Sequence, residues 1–434
     1  MMTFLTCVVI FTLFRTVIPT DPPNLVPVVK IPSTNLSTGV FYVITMKSKP
    51  SGIVTWTDKK VVHDIKNFVQ VDLTPENQKE YLPGGQWFSS AQWTFQPLNN
   101  SSSFLLKNRD NLSRNVATVV DENTGYTFLY WDDPSGPSSL NTPLNYYFIT
   151  PVGTVDESEY KIQLQFSRYP GRFVTWTPLK NGKYSHFLQV AAKGSEYDWD
   201  GKSWDSTLFK FEPVTSGTVI RFGHVASLEI RPQGVEILDS KGTMGTVYSE
   251  KFENFGPFPT TTLIKTSLPD TSGGILTITN PTLSPHVKLP ANFTFALPSK
   301  RGSPILFNVI ASSENSNKTY LVRPLNRVLP LPPNVAVNVG PSKVISFTVQ
   351  QNLFKDVELP CVLNVLVTGE GDRVTEDGGV GRGPLPPDVV ETALRKKLGL
   401  LDEVRMEGDQ IFVRVGAVIK GSFLVGVETT PSIV

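Results

Sequence analysis

The sequence has few of the residues that build metal sites and disulfide frameworks. Its 434 residues include only two cysteines and four histidines. A disulfide framework needs several cysteines, and Cys7 lies in the apolar N-terminus, so we expect no framework of this kind. No two histidines stand at the i, i+4 or His-x-His spacing of a zinc site. We therefore expect neither a metal site nor a cofactor.

The sequence also lacks an excess of charge of either sign and the common catalytic motifs. It carries 40 basic residues against 39 acidic ones. A protein that binds phosphate backbones needs a basic surface, so nucleic acid is not expected as a partner. There is no G-x-S-x-G elbow, no P-loop and no dinucleotide fingerprint. We expect the protein not to be an enzyme.

Long helical patterns are almost absent, whereas strand patterns are frequent. Val, Ile, Thr, Phe and Tyr dominate the short apolar runs, and 32 glycines and 35 prolines separate them. β-branched and aromatic residues are enriched in strands, and Gly and Pro mark the turns between strands. The sequence therefore predicts an all-β protein.

The N-terminus and several glycosylation triplets favour secretion. Residues 3–14, TFLTCVVIFTLF, form an uncharged and mostly apolar run. This length suits a signal peptide over residues 1–20 better than a membrane span, with a buried first strand as the alternative. N-glycosylation triplets occur at Asn35, Asn99, Asn100, Asn111, Asn292 and Asn317. We expect a secreted, extracellular glycoprotein.

An internal repeat organises the first half of the chain. Residues 54–57, VTWT, recur as VTWT at 174–177, and residues 68–71, FVQV, recur as FLQV at 187–190. Fixed-period self-similarity indicates a repeated structural unit. We expect two lectin-like copies, one over residues 38–150 and one over 158–260.

Each copy consists of a long and a short unit, and each unit is predicted to contain four strands. The fourth unit is predicted over residues 219–253, with one of its strands at 235–238. Units of this size are typical of β-trefoils, which need three units each. The sequence leaves two arrangements open, one trefoil with an extra unit or two degenerate trefoils. Closed barrels avoid exposed strand edges, which favours a closed arrangement.

Residues 203–210, SWDSTLFK, followed by 219–225, VIRFGHV, resemble the agglutinin domain of amaranthin. Residues 173–178, FVTWTP, are similar to a strand element of the same family. Domains of that family are β-trefoil lectins, often in tandem. The resemblance implies a β-trefoil-like first half that binds glycans or glycoproteins.

The composition changes after a Pro- and Thr-rich linker at 257–274, and all seven tryptophans precede residue 205. Residues 331–337, LPPNVAV, 356–360, DVELP, and 421–427, GSFLVGV, resemble the C-terminal part of aerolysin-type β-pore toxins. The resemblance implies an elongated antiparallel β domain over 270–434, action at a membrane surface, and homo-oligomers.

The segment that corresponds to the pore hairpin of that family departs from the family's pattern. Residues 291–312 are interrupted by Pro298 and Pro304, with Lys300 and Arg301 between them. Proline cannot donate to a strand ladder, and the remaining arms fall short of the ~9–11 residues of a spanning strand. We therefore expect no efficient membrane lysis.

One short helix is expected in the second half. Asp388 is the predicted N-cap, with Glu391 three residues on, and Gly399 is the predicted stop. We expect this helix to be structural, with a regulatory flap as the alternative.

Sugar sites combine aromatic faces with polar groups that bind hydroxyls. Two loops have this composition, and their candidate residues are Tyr197, Trp199 and Asp200 in one and Trp131 and Asp132 in the other. Trp56 and Trp176 lie on predicted strands, where a core position is favoured.

Together these observations predict a secreted, lectin-like carbohydrate-binding protein, with a pore-forming or defence role left open. The alternative is a secreted adhesion or structural protein built from β-sandwich domains without a sugar site.

Overall fold

The chain divides into two compact units. A computed structural model describes residues 24–32, 34–58, 67–97, 103–131, 147–151, 162–166, 171–181, 185–191, 205–240, 243–264, 267–269, 272–281, 283, 292–297, 305–311, 319–325, 328–330, 335–399 and 403–433. The N-terminal unit comprises Met1–Ser216 and Gly371–Gly383. The C-terminal unit comprises Gly217–Glu370 and Pro384–Val434.

Twelve short strands build the N-terminal unit. They are β1 Tyr42–Met46, β2 Ile53–Thr57, β3 Phe68–Asp72, β4 Gln92–Pro97, β5 Ser103–Asn108, β6 Val116–Val120, β7 Thr127–Trp131, β8 Tyr147–Pro151, β9 Ile162–Phe166, β10 Val174–Asn181, β11 Ser185–Val190 and β12 Phe209–Pro213. Six of them close into a barrel in the order β1-β12-β9-β8-β5-β4. A four-residue helix, α1 Pro75–Gln78, follows β3. The barrel interior includes Tyr42, Trp93, Phe95 and Phe209, each at most 1% exposed.

The other six strands form three antiparallel hairpins, β2–β3, β6–β7 and β10–β11. The second strands of the hairpins, β3, β7 and β11, pair with one another. Phe68, Phe128 and Phe187, one from each of these strands, meet with ring centroids 5.8–5.9 Å apart. Four consecutive strands therefore recur three times, as two barrel strands flanking one hairpin.

The repeats number three, and the predicted fourth unit belongs elsewhere. The strand predicted at residues 235–238 is wrong, because these residues lie in a helix, α2 Pro232–Ser240. Short apolar runs fit a strand or a helix equally well, and the helix allows Leu238, 7% exposed, to join the core of the C-terminal unit. Strands before and after α2 pair with the C-terminal sheet rather than with the barrel.

The observed boundaries differ from the expected ones. Residues 217–260 lie in the C-terminal unit, although the second lectin-like copy was expected to include them. Residues 371–383 lie in the N-terminal unit, although they belong to the stretch expected as the C-terminal domain. They are held there by backbone hydrogen bonds from Val26 to Val374 (2.9 Å) and from Val374 to Gly39 (3.1 Å).

The C-terminal unit is a long antiparallel sheet with smaller ribbons. The remaining strands of the chain are β13 Val219–Ile230, β14 Thr243–Asn254, β15 Thr260–Ile264, β16 Ser267–Pro269, β17 Gly273–Ile278, β18 Asn292–Leu297, β19 Ile305–Ala311, β20 Thr319–Pro324, β21 Val328–Pro330, β22 Val335–Val339, β23 Lys343–Val374, β24 Val380–Pro384, β25 Val404–Glu407 and β26 Gln410–Ile433. All of them lie in the C-terminal unit except residues 371–374 of β23 and 380–383 of β24, which belong to the Gly371–Gly383 segment of the N-terminal unit. The sheet order is β13-β23-β26-β17-β20-β19-β18. β23 has 32 residues and β26 has 24. The predicted all-β class and the elongated antiparallel sheet are thus confirmed.

The helix predicted near residue 390 is α3, Pro387–Leu398. Its N-cap is Pro386 rather than Asp388, and the cap makes no side-chain hydrogen bond. Gly399 ends it as predicted, in the left-handed conformation at φ 63°, with its N–H bonded to the Arg395 carbonyl at 3.0 Å. Among the described residues of 270–434, α3 is the one α-helix, as expected, whereas α1 and α2 lie earlier in the chain. No helix in the described part of the chain is long and apolar enough to cross a membrane.

Cys361 lies on β23 and is fully buried, as a small apolar residue would be. Burial raises the pKa of its thiol to about 12. The thiol is therefore protonated at neutral pH and contributes to packing only.

Candidate functional site

The structure describes one of the five predicted sugar-site residues, Trp131. Asp132, Tyr197, Trp199 and Asp200 lie outside the described residues. Of the predicted glycosylation sites, Asn35 is exposed, Asn111 is half-buried and Asn292 is the first residue of β18. Asn99, Asn100 and Asn317 also lie outside the described residues.

Trp131 is the last residue of β7, and its side chain is 3% exposed. Its backbone N–H donates to the carbonyl of Asn67 at 2.8 Å, which fixes the end of the strand. Its indole nitrogen Nε1 is buried and has no acceptor in the described part of the chain.

Trp56, at the half-buried face of β2, packs against Trp131 with ring centroids 5.0 Å apart and planes tilted by 47°. The Trp56 indole N–H donates to Oδ2 of Asp110 at 2.9 Å. The hydroxyl of Ser89 donates to the other carboxylate oxygen, Oδ1. Asp110 is exposed, so each of its oxygens keeps lone pairs that face solvent.

The loops after β5 and before β4 position Asp110. The backbone N–H of Asp110 donates to Asn108 Oδ1 at 3.0 Å, and Asn108 Nδ2 donates to the Ser90 carbonyl at 2.8 Å. Asn108 is fully buried, so these bonds anchor the loop to the barrel. The carboxylate is therefore held in place before any ligand binds.

Arg114, half-buried in the β5–β6 connection, lies with its guanidinium carbon 5.3 Å from the Trp131 ring centroid. A cation over an aromatic face is attracted by the ring, and a guanidinium also carries several N–H donors. We call Trp56, Ser89, Asp110, Arg114 and Trp131 the Trp56–Trp131 cluster. It combines aromatic surface, an exposed carboxylate acceptor and a cationic donor.

Trp176 is equivalent to Trp56 in the repeat but lies in different surroundings. It is 3% exposed, and its indole N–H donates to Ser48 Oγ at 3.1 Å. The His186 ring packs edge-on against it at 4.9 Å, and Lys49 Nζ lies 4.5 Å from its ring centroid. The core position predicted for Trp176 is confirmed, whereas Trp56 is only half-buried.

Asp72 is a carboxylate with several hydrogen-bond partners among the described residues, and these partners are structural. It accepts from Tyr81 Oη at 2.5 Å, Asn77 Nδ2 at 2.8 Å, Ser185 Oγ at 2.8 Å and the Thr74 backbone at 2.9 Å. Burial would raise the pKa of this carboxyl, but the hydrogen bonds from Tyr81, Asn77 and Thr74 outweigh it and lower the pKa. Asp72 is 1% exposed, so it ties β3 to β11 and is closed to a ligand.

Sequence reasoning missed Trp56, Asp110 and Arg114 as site residues. They come from two separate segments, β2 and the β5–β6 connection, and only the fold brings them to Trp131. The available clue was the tryptophan in the repeated VTWT element, whose strand position favoured the core. A half-buried strand residue at a hairpin face differs from a core residue only in its tertiary neighbours.

No protein-family model and no curated protein sequence matches the chain. Solved structures do match. The lamprey immune protein is 9% identical, with 91% of this chain and 96% of that one covered and a TM-score of 0.26. The Mpp75Aa1.1 beta-pore-forming protein from Brevibacillus laterosporus is 14% identical, with coverage of 53% and 78% and a TM-score of 0.25. An aerolysin-like protein of Bombina maxima is 10% identical, with coverage of 50% and 98% and a TM-score of 0.18.

Proposed function

We propose that the protein is a secreted lectin, not an enzyme, that binds a glycan at the Trp56–Trp131 cluster. The observation that carries the proposal is the geometry of the cluster itself. A carboxylate held by Trp56 and Ser89 stands beside a tilted pair of tryptophans and a guanidinium. Sugars present apolar C–H faces and many hydroxyls, which require this combination.

The roles within the cluster follow from its atoms. Trp56, half-buried, supplies the face on which a sugar ring stacks. Asp110 accepts hydrogen bonds from sugar hydroxyls with its free lone pairs, and Arg114 donates to sugar oxygens. The buried Trp131 supports Trp56 through the contact between their rings. The partner is a glycan or glycoprotein.

The architecture of the N-terminal unit supports a β-trefoil assignment. A six-stranded closed barrel with three hairpins, whose second strands pair with one another, is the arrangement that a trefoil requires. The resemblance to amaranthin-type agglutinins, in residues 173–178 and 203–210, favours the same assignment. With three units instead of four, one trefoil is favoured over two degenerate ones.

The C-terminal unit supports a role at a cell surface in the proposed scheme. We infer that its long antiparallel sheet is of the aerolysin kind, as residues 331–337, 356–360 and 421–427 suggest. Glycan binding would then bring the sheet to a membrane, where homo-oligomers assemble in a defence role.

The alternative is an adhesion or structural protein made of β-sandwiches without a sugar site. A sandwich consists of two stacked sheets. The closed barrel order of the N-terminal unit therefore favours the lectin proposal.

A glycan array with the full-length chain tests the proposal. We expect binding to a restricted set of glycans, and we expect Asp110→Ala to abolish or strongly weaken it. Asp377→Ala is the matched control, because Asp377 is also an exposed, hydrogen-bonded aspartate of the same unit. Absence of binding to any glycan at high protein concentration would refute the lectin function, and unchanged binding by Asp110→Ala would refute the site.

A further inference from the structure

The two most exposed large hydrophobic side chains among the described residues stand three positions apart. Phe255 is 83% exposed and Phe258 is 76% exposed, and the next in rank, Leu82, is 58% exposed. They lie in the turn between β14 and β15 of the C-terminal unit. Exposed single apolar residues are common, but two phenylalanines on one turn mark a contact surface.

The turn is held in shape by a buried side chain. Asn254, 7% exposed, donates from Nδ2 to the carbonyls of Phe258 at 2.7 Å and Val339 at 2.9 Å, and its Oδ1 accepts from the Gly256 N–H at 2.9 Å. Nδ2 also lies 3.2 Å from the Gly340 carbonyl. The backbone is thus stabilised in a form that leaves both rings outside.

A second turn lies beside the first. β23 begins at Lys343, which pairs with Asn254, and the preceding turn, Gly340–Lys343, closes through the Lys343 N–H and the Gly340 carbonyl at 3.3 Å. We call residues 254–260 and 340–343 the aromatic tip. Its sequences are NFGPFPT and GPSK, so Lys343 is its single charged residue, and it is exposed.

We propose that the aromatic tip docks into the interfacial region of a lipid bilayer. Phenylalanine on an apolar tip, combined with a lysine, is the composition that partitions into the boundary between headgroups and acyl chains. The alkyl stem of Lys343 extends toward lipid phosphate while its ammonium stays hydrated. The tip lacks acidic side chains, which an anionic membrane surface would repel.

A lipid surface fits better than a protein partner or a second copy. A stable protein interface buries about 800 Å² on each partner, with a broad complementary surface. The aromatic tip consists of two short turns at the ends of β14, β15, β22 and β23. Two outward rings on such turns enter a fluid interface without needing a shaped pocket.

Vesicle co-sedimentation with the full-length chain tests the proposal. The vesicles contain phosphatidylcholine with a minor fraction of phosphatidylserine and no glycolipid, so glycan binding plays no part. We expect the native chain to bind. We expect the double variant Phe255→Ser and Phe258→Ser to bind these vesicles at least about tenfold more weakly than the native chain, because binding scales with buried apolar area. Lys343→Gln weakens binding only when phosphatidylserine is present.

The matched control is the double variant Leu306→Ser and Met406→Ser. These side chains are 46% and 42% exposed in the same unit, so it removes two exposed apolar groups away from the tip. It should bind vesicles like the native chain. A Phe255→Trp variant should show additional fluorescence quenching by brominated lipids, which reports contact with the acyl region.

Three results would overturn the proposal. The first is that the native chain does not bind these vesicles, and the second is that the Phe255 and Phe258 double variant binds them equally well. The third is that the native chain forms an oligomer without lipid and the double variant does not. The last result would assign the tip to contact with a second copy. Each of these outcomes is independent of the glycan array, so failure of one proposal leaves the other standing.

Discussion

At the scale of single residues, Trp56 and Trp176 show how one repeated position serves two purposes. Both are on the first strand of a hairpin, and both donate their indole N–H to a side-chain oxygen. Trp176 donates to the half-buried Ser48, whereas Trp56 donates to the exposed Asp110. The difference lies in which loop covers the ring.

We predict that Trp56→Ala weakens glycan binding and leaves the fold intact. Loss of an aromatic anchor costs about 1–3 kcal/mol of binding free energy, as at other packed contact sites. Trp176→Ala is the comparison, because truncation of a buried aromatic costs about 3–5 kcal/mol of stability. Glycan-array binding and thermal unfolding of both variants distinguish a binding role of Trp56 from a core role. If Trp56→Ala lowers the unfolding temperature as much as Trp176→Ala, Trp56 is a core residue.

We predict that Asp72 makes the stability depend on pH in the acid range. Its pKa lies below the ordinary 3.8 in the folded protein, so its charged form stabilises the fold above pH 3.8. This contribution is lost as the pH falls below 3.8 through the lower folded-state pKa. Asp72→Asn should cost roughly 2 kcal/mol at neutral pH and should flatten the acid limb of the unfolding temperature. Parallel acid limbs for native and variant chains would contradict the assignment.

At the scale of elements, the segment Gly371–Gly383 completes a unit whose other residues lie far earlier in the chain. Val374 packs with Val26, Phe41 and Leu112 in a buried cluster. Arg373, 4% exposed, donates to the carbonyl of Val26. Arg109 pairs with Asp372 at 2.6 Å. The N-terminal unit is therefore not a continuous piece of sequence.

We predict that Arg373→Ala destabilises the N-terminal unit by roughly 2 kcal/mol, because it leaves the buried Val26 carbonyl without this donor. All seven tryptophans precede residue 205, so their fluorescence during urea unfolding reports this unit alone. Glu376→Ala, an exposed position in the same segment, is the control and should leave the midpoint unchanged. Equal midpoints for native and Arg373→Ala would show that the hydrogen bond from Arg373 contributes nothing to stability.

The β18–β19 hairpin contains nearly all residues of the predicted pore arms, 291–297 and 305–312. Its strands have six and seven residues, and Pro298 and Pro304 lie outside the described residues. Phe295 and Phe307 stack at 5.7 Å, and both belong to the core of the C-terminal unit. Release of this hairpin would therefore expose core side chains.

At the scale of the whole molecule, we predict membrane binding without efficient lysis by the monomer. The hairpin arms are shorter than the ~9–11 residues of a spanning strand. The apolar side chains on one face of these arms pack into the core of the folded C-terminal unit. Dye release from glycan-bearing liposomes, measured with the native chain, is the test. Rapid release accompanied by ring-shaped oligomers would show that this expectation is wrong.

The sequence by itself determined the all-β class, because β-branched and aromatic runs between Gly and Pro leave few other structures. It also predicted the VTWT and FVQV strand pairs, the helix stop at Gly399 and the burial of Cys361. These features depend on local residue pattern and backbone preference, and residues that are neighbours in the sequence determine both.

Only the tertiary structure decided the number of repeats, the transfer of residues 217–260 to the C-terminal sheet and the return of Gly371–Gly383 to the barrel unit. It also brought Trp56 and Asp110 to Trp131. Residues 235–238 became helical because Leu238 finds its apolar partners in that form. Each of these outcomes depends on pairings between distant segments, and the free energy of such contacts is not contained in any local stretch of sequence.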